Sequence, residues 1–317
     1  MTSKAKETKK TRKVNPYSDE LLKRIISALV ALVISFTERL KKGEKLEISV
    51  SHGNTKIGHT MNVSLAPVIC CGNCKECKRF CYDIKACVQY ENVRLARAKN
   101  TAIFNYDREM FFNQLWAKMA RKKRNKYLRF HVSGEIKDYN HLEWIVETAR
   151  RFPDFKIWTY TKMYGLVNLY IMNNGNSKEK AIPENLTIMF SEWQGMPMEN
   201  PYKMPVFRCI NKGEKLPGCM KCPGNCNVCK ASGKGCINGY SVFHLFTLIN
   251  CPVFLVSDQK TREQKQAEEK RMFYVENGYT EEIIDVSDNL FVAVQIARHT
   301  PNSIVTDEND NVYYSSI

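Results

Sequence analysis

The chain has no apolar run long enough to cross a bilayer, which takes about 18 to 20 residues. The longest, IISALVALVISF at 25–36, is closed by Lys23 and Arg24 before it and by Glu38 and Arg39 after it. A basic stretch precedes it, as in a secretory leader, but SFTERLKKG offers no small-residue cleavage site. The expectation is a buried helix in a cytoplasmic protein with no membrane contact. Glycine and proline are not enriched, at 15 and 11 of 317 residues. That excludes collagen-like and low-complexity architectures and leaves most of the chain to fold. Also missing are a phosphate-binding glycine loop, a Ser-His-Asp pattern and an H-E-x-x-H helix.

Acidic residues are in short supply. Asp and Glu number 33 against 48 Lys and Arg, a net charge of +15. Lys4, Lys6, Lys9, Lys10, Arg12 and Lys13, opposed only by Glu7, place about a third of that excess in residues 1–17. This segment reads as a disordered basic tail, and 18–317 as a single folded domain. RKKRNK at 121–126, with Arg94, Arg97 and Lys99, adds further charge. Single charge runs are often solvated surface, but the sum points to a polyanionic partner, nucleic acid first. The sequence leaves DNA against RNA, and the oligomeric state, open.

What the chain has in quantity is cysteine, 13 in all. Nine of these, five at 70–81 and four at 219–229, form two tight groups. Disulfides rarely need C-x-x-C runs, whereas metal ligation does, because a tight turn aims neighbouring thiolates at one point. In CCGNCKECKRFCYD (70–83), three templates fit. Cys71, Cys74, Cys77 and Cys81 make C-x2-C-x2-C-x3-C, the spacing of a four-iron ferredoxin run. Cys70, Cys74 and Cys77 make C-x3-C-x2-C, the spacing of radical S-adenosylmethionine enzymes. Cys71, Cys77 and Cys81 make C-x5-C-x3-C. A structural zinc site takes the same thiolates. The second group, Cys219, Cys222, Cys226 and Cys229 with Cys236 trailing, contains two C-x2-C pairs. It lies in a Lys-, Gly- and Asn-rich stretch at about 211–240 that has few apolar residues, so a metal is expected to hold it together. Zinc or a second four-iron cluster would serve. Cys209 and Cys251 read as packed core thiols.

The remaining pattern is alternating. SDELLKRIISALVALVISFTERLKK (18–42) is a helix capped by Ser18. KLEISVS and MNVSLAP are strands around the turn HGNTKIGH, and 84–124 is mostly helix, with Phe104, Phe111, Phe112, Leu115 and Trp116 as its apolar face. Strands at 127–132, 156–161, 186–191, 205–210 and 252–257 alternate with helices at 138–152, 165–174, 259–275 and near 289–298. The fold class predicted is α/β, a partial (β/α) barrel of parallel strands with a cysteine-rich metal-binding insertion. Function in such folds gathers at strand carboxyl ends. Here these read HVSGE (131–135), YTK (160–162) and SEW (191–193). Trp158, Tyr160 and Trp193 could pack in the core or stack on a base.

Ser133-Gly134-Glu135 has the form of the Gly-Gly-Glu motif that binds the methionine amino group in radical S-adenosylmethionine enzymes. A small residue lets backbone approach an ammonium, and an acid pairs with it. His131 and Lys162 are the other candidate catalytic groups. Taken together, GNTKIG, SLAP, the cysteine group closing in CY, RFHVSGE and YTK resemble the phage gene-product-eighty-eight family over about 53–230. The resemblance rests on Cys71, Cys77, Cys81 and Tyr82, on Arg129, His131, Ser133, Gly134 and Glu135, and on Thr161 and Lys162. It implies a radical-S-adenosylmethionine-like iron–sulfur protein of phages and bacterial mobile elements. Cys70 and Cys74 stand outside the family pattern.

Two functions follow as expectations. One is an iron–sulfur enzyme using S-adenosylmethionine, held by Ser133, Gly134 and Glu135, on a nucleic acid or nucleotide. The other is a non-catalytic, zinc-stabilised nucleic-acid-binding protein.

Overall fold

The computed structural model describes residues 17–72, 74, 76–192, 196–210, 218–245, 273–277, 283–287, 293, 303–307 and 314–315. The tail, Trp193, Cys251, the strand expected at 252–257 and most of the charged segment after it lie outside these residues.

The chain opens with α1 (Asp19–Lys41), where the Ser18 side chain accepts from the Leu21 amide at 3.2 Å. Asp19 and Glu20 in the first turn and Arg39 and Lys41 in the last match the helix dipole. The expectation of a buried helix is corrected. Only the face of Leu22, Ile25, Leu29 and Leu40 is buried, while Ile34 is 57% exposed. A single amphipathic stripe suffices to dock it on its neighbours.

A hairpin follows, β1 (Ser51–Asn54) and β2 (Gly58–Val63), tighter than expected, with Thr55–Ile57 as its turn. Residues 45–50 are not a strand. Their amides are met by side chains instead: Ile48 donates to Gln114 Oε1 and Ser49 to Asn100 Oδ1, each at 2.7 Å. After the first cysteine group come α2 (Tyr82–Gln89), α3 (Glu91–Tyr106) and α4 (Arg108–Ala120). Then β3 (Tyr127–Phe130), α5 (Tyr139–Arg151), β4 (Lys156–Thr161), α6 (Tyr164–Asn173), α7 (Lys178–Ala181), β5 (Leu186–Ser191) and β6 (Val206–Ile210) alternate as the pattern predicts. The second cysteine group supplies β7 (Met220–Lys221) and α8 (Cys226–Ser232), and β8 (Val242–Leu245) follows.

These strands form one sheet in the order β1-β2-β3-β4-β5-β6-β8-β7, parallel except for β1. From β2 to β6 each strand lies beside its predecessor. Right-handed crossovers then put every connecting helix on one face. The side chains agree. Leu128, Phe130, Ile157, Ile188 and Phe190 alternate onto the helix face and join Phe112, Ile145 and Val167 in the main core. Phe112 stacks on Trp144 at 5.2 Å, and Trp116 Nε1 donates to Thr148 at 2.9 Å.

In a barrel the other face would close on itself. Here the sheet is open, with β1 and β7 as its edges, so the expected α/β class and parallel strands are present and no closed barrel forms among the described residues. The cysteine-rich segment covers that face instead. Trp158 packs with Cys229 and Ile237, and Met189 with Cys236 and Val242. Trp158 and Tyr160 thus belong to a packed layer. Lys230 of α8 fastens this cover to the hairpin at the opposite edge, donating to Ile57 O and Thr60 Oγ1 at 2.9 and 2.8 Å and lying over the Tyr127 ring.

A second, antiparallel sheet of β9 (Phe273–Asn277), β10 (Ile283–Ser287), β11 (Ser303–Asp307) and β12 (Tyr314–Ser315) runs in the order β10-β9-β11-β12. Residues 273–275, assigned to a helix from sequence, are in β9. Val275 and Val305 join the main core. No helix among the described residues is long and apolar enough to cross a membrane.

Candidate thiol-rich site at the strand ends

The first cysteine group leaves the carboxyl end of β2 and lies against the ends of β3 and β4. Backbone bonds fix it there. The Leu65 amide donates to Ser133 O at 3.1 Å and the Glu135 amide to Cys70 O at 2.8 Å. Ser64 Oγ accepts from the Val132 amide at 3.1 Å, and the Tyr82 hydroxyl donates to Val132 O. Gly134 has φ +78°, and a Cβ there would meet Leu65 Cβ at 2.9 Å. Glycine is therefore required both by backbone conformation and by space.

Glu135, 4% exposed, turns its carboxylate to the end of β4. Oε1 accepts from Thr161 Oγ1 at 2.7 Å and from the Lys162 amide. The Lys162 side chain has Glu135 and the sulfurs of Cys77, Cys71 and Cys74 around it. Burial lowers its pKa, but these charges outweigh it and the net shift is upward. Ser133 is 5% exposed, and its Oγ is buried with no hydrogen-bond partner among the described residues. An acid and an ammonium thus converge beside the thiols, next to a turn that carries an unmatched hydroxyl.

The thiols divide. Cys74 Sγ lies 4.0 Å from Cys77 Sγ and also contacts Cys71. That sharing raises the Cys74 pKa and pulls Cys77 down to about 7, where Lys162 adds to the effect. Cys81 neighbours Cys71, and burial pushes its thiol up to about 11. Cys70 is turned away. It is 1% exposed and its sulfur faces Thr101 Oγ1 of α3 at 3.7 Å. Among the described residues, no three Cys, His, Asp or Glu side chains are arranged around one metal-sized point. Ligation at Cys71, Cys74, Cys77 and Cys81 therefore requires thiol rotations. In the second group, Cys226 and Cys229 lie on α8, Cys222 just after β7, and Cys219 just before it.

His131 directly follows β3, has φ +56° and is 5% exposed. Its Nδ1 pairs with Thr159 Oγ1 at 3.1 Å and its ring meets His141 edge-on at 4.9 Å. Burial, then the charge of Arg129, pushes its pKa down to about 3. The folded protein therefore keeps the ring neutral where the unfolded chain, with a pKa near 6.5, takes up a proton. Stability is full above about pH 6.5 and is lost as pH falls toward 3, on the order of 5 kcal/mol at 1.36 kcal/mol per unit. His131→Asn, whose side chain tolerates positive φ, should flatten this. Urea midpoints at pH 7 and 4.5 should differ less in the variant than in wild type. His141, also shifted down by burial, leaves the residual slope.

Sequence reasoning missed Thr161 as a carboxylate partner, and it read Arg94 and Arg97 as surface charge. Arg97 forms a buried pair with Asp83 at 3.2 Å, and Arg94 donates to Cys87 O at 3.4 Å. Cys87, unassigned from sequence, is buried with its sulfur 3.7 Å from Asp83. The run 121–126 enters β3 from the amino end, across the sheet from the thiols. Arg121, Lys123 and Arg124 there are exposed.

An open, mainly parallel α/β sheet with a thiol-rich loop and an acid–lysine pair at its strand ends defines the class of protein. Within that class the chain belongs to the Gene product 88 family, whose model matches residues 35–204. The match begins earlier than the sequence resemblance and ends before the second cysteine group. No curated protein and no solved structure matches the chain.

Proposed function

We propose that this protein is an iron–sulfur enzyme of radical S-adenosylmethionine type, with nucleic acid or a nucleotide as its substrate. One observation carries the reading: the Ser133-Gly134-Glu135 turn is bonded directly to the first cysteine loop, through the Glu135 amide and Cys70 O at 2.8 Å. The thiols of Cys71, Cys77 and Cys81, with Cys74 beside them, would hold a four-iron cluster. Such a cluster, when bound and reduced, supplies the electron for reductive cleavage of S-adenosylmethionine. Ser133 Oγ, buried and unmatched, is available to accept from the cofactor's ammonium. Glu135, preset by Thr161 and the Lys162 amide, adds negative charge at the same place. Lys162 balances the thiolates and the carboxylate, which are otherwise costly to bury together. His131 supports the turn from beneath as a neutral ring.

Anaerobically reconstituted protein with dithionite should convert S-adenosylmethionine to 5′-deoxyadenosine and methionine. Glu135→Gln should lower that rate at least about tenfold, in keeping with loss of a charge-assisted contact. A brown, iron-loaded protein that releases no 5′-deoxyadenosine would rule the reading out. A colourless protein carrying only zinc would favour the second reading, a zinc-stabilised nucleic-acid-binding protein. The exposed Arg121, Lys123 and Arg124 speak for that one, and its binding should weaken steeply with salt.

A further inference from the structure

The second cysteine group lies beyond the family match, and its geometry does not follow its sequence spacing. By spacing, Cys219, Cys222, Cys226 and Cys229 are the natural set. In the folded chain Cys219 and Cys222 flank the two-residue strand β7, where side chains alternate between faces. Met220 packs with Met189, Cys236 and Val242 on the covered face of the sheet. Cys222, two residues on, shares that face. Carried one residue back, the same alternation assigns Cys219 to the other.

Cys236 takes the vacant place. It is 7% exposed, and its sulfur pairs with the Tyr160 hydroxyl. Cys229 lies within electrostatic reach of Cys236, Cys226 and Cys222, and Cys226 within reach of Cys236 and Cys222. The backbone is shaped for this. Gly235 has φ +89°, and a Cβ there would lie 2.6 Å from Cys229 Sγ. Only glycine lets that sulfur come up against the residue preceding Cys236.

A second, independent feature marks the place. The guanidinium of Arg129 lies over the Tyr160 ring at 4.8 Å and within reach of Cys236 and Cys226. Its Nε is buried with no hydrogen-bond partner among the described residues. A half-buried cation, its Nε out of solvent and facing thiols, suits a thiolate–metal centre, which carries net negative charge and is stabilised by a nearby counter-ion.

We propose that Cys222, Cys226, Cys229 and Cys236 form a four-thiolate metal centre that holds the cover of the open sheet face, with Arg129 as its counter-ion and Cys219 outside it. The metal is a thiophilic one, zinc or iron, and binding releases the thiol protons to solvent. The sulfurs must rotate onto a common point to bind it. The proposal does not rest on radical chemistry at the first group.

Cobalt(II) tests it, because tetrahedral thiolate coordination gives strong visible bands. The apoprotein, kept reduced, is titrated with Co2+ and the bound metal counted. Cys236→Ser should lower binding by about one equivalent per chain, and Cys219→Ser should leave it unchanged. Loss in Cys219→Ser, or no loss in Cys236→Ser, overturns the assignment. Because Cys236→Ser could fail to fold, wild-type protein provides a second readout. Iodoacetamide footprinting with and without chelator should expose Cys222, Cys226, Cys229 and Cys236 only after the metal is removed, with Cys219 reacting equally in both. A Cys219 protected by metal, or a Cys236 that stays unreactive after chelation, sinks the proposal.

Discussion

Cys77→Ser is expected to abolish iron loading of anaerobically reconstituted protein at the first site, whereas Cys70→Ser leaves it intact. The two residues look equivalent in sequence, since both fit a C-x3-C-x2-C run. The fold separates them. Cys70 is buried against α3, with its sulfur 3.7 Å from Thr101 Oγ1 and its carbonyl occupied by the Glu135 amide. A serine there keeps the backbone bond and replaces a weak sulfur contact with a hydroxyl one. Cys77 sits 4.0 Å from Cys74, and its thiol is drawn down to about 7, chiefly by Cys74 with help from Lys162. It is thus readily available as the thiolate a metal requires. Iron and sulfide per chain, measured beside the absorbance near 400 nm, decide the matter. Cys71→Ser and Cys81→Ser should behave as Cys77→Ser does. Cys74→Ser then reads the ligand count. Retained iron means three thiolates and an iron open to the cofactor. Lost iron means a closed four-thiolate site, which would count against S-adenosylmethionine cleavage. Retention of iron by Cys77→Ser would remove the first site from the mechanism altogether.

Asp83→Asn should cost about 3 to 5 kcal/mol in unfolding free energy, because it strands a charge in the interior. Asp83 is 2% exposed and the Arg97 side chain 14%. Their oxygens and nitrogens meet at 3.2 and 3.3 Å, and Cys87 Sγ closes the other side at 3.7 Å. Removing the acid leaves the guanidinium desolvated with no carboxylate to face. The double variant Asp83→Leu, Arg97→Met should recover most of the loss, since an apolar pair of similar volume has neither desolvation nor Coulomb terms to balance. Chemical denaturation of the three proteins checks this, and a small effect in Asp83→Asn would mean that water reaches the pair. The pair also bears on the site. It locks α2, whose first residue is Tyr82, onto α3, which receives the Cys70 sulfur. Destabilising it should therefore loosen the cysteine loop as well.

Much of the sheet was legible because its strands are short apolar runs bounded by turns, and covered strands have little choice of partner. The strand-end motifs were legible for a related reason. HVSGE and YTK are polar residues that break an apolar run at a place where the backbone leaves the sheet. The segment 45–50 was not legible as irregular, because Gln114 and Asn100, far away in sequence, satisfy its amides in place of a neighbouring strand. Nor could the sequence tell that α1 is half exposed. Its thirteen apolar residues read as uniformly buried, but only a stripe meets α3.

The limits of each level are clearest in the cysteines and the arginines. The sequence by itself determined that two groups of thiols exist, that short spacing keeps the members of each near one another, and that polar motifs with an acid and a lysine close the strands at 131–135 and 160–162. These are local properties, set by turns of a few residues and by the alternation of strand and helix. Only the tertiary structure decided which thiols meet. Cys70 points into α3, and Cys236, well outside its C-x2-C pairs, is brought to Cys229 by a glycine turn. It also decided what the charges do. Arg97, which looks in sequence like surface charge, lies against Asp83, and Arg129 of the RFHVSGE motif lies over Tyr160. The physical reason is that spacing fixes how near two neighbours can come, while burial, side-chain direction and electrostatic partners depend on segments far apart in the chain. Packing brings those segments together.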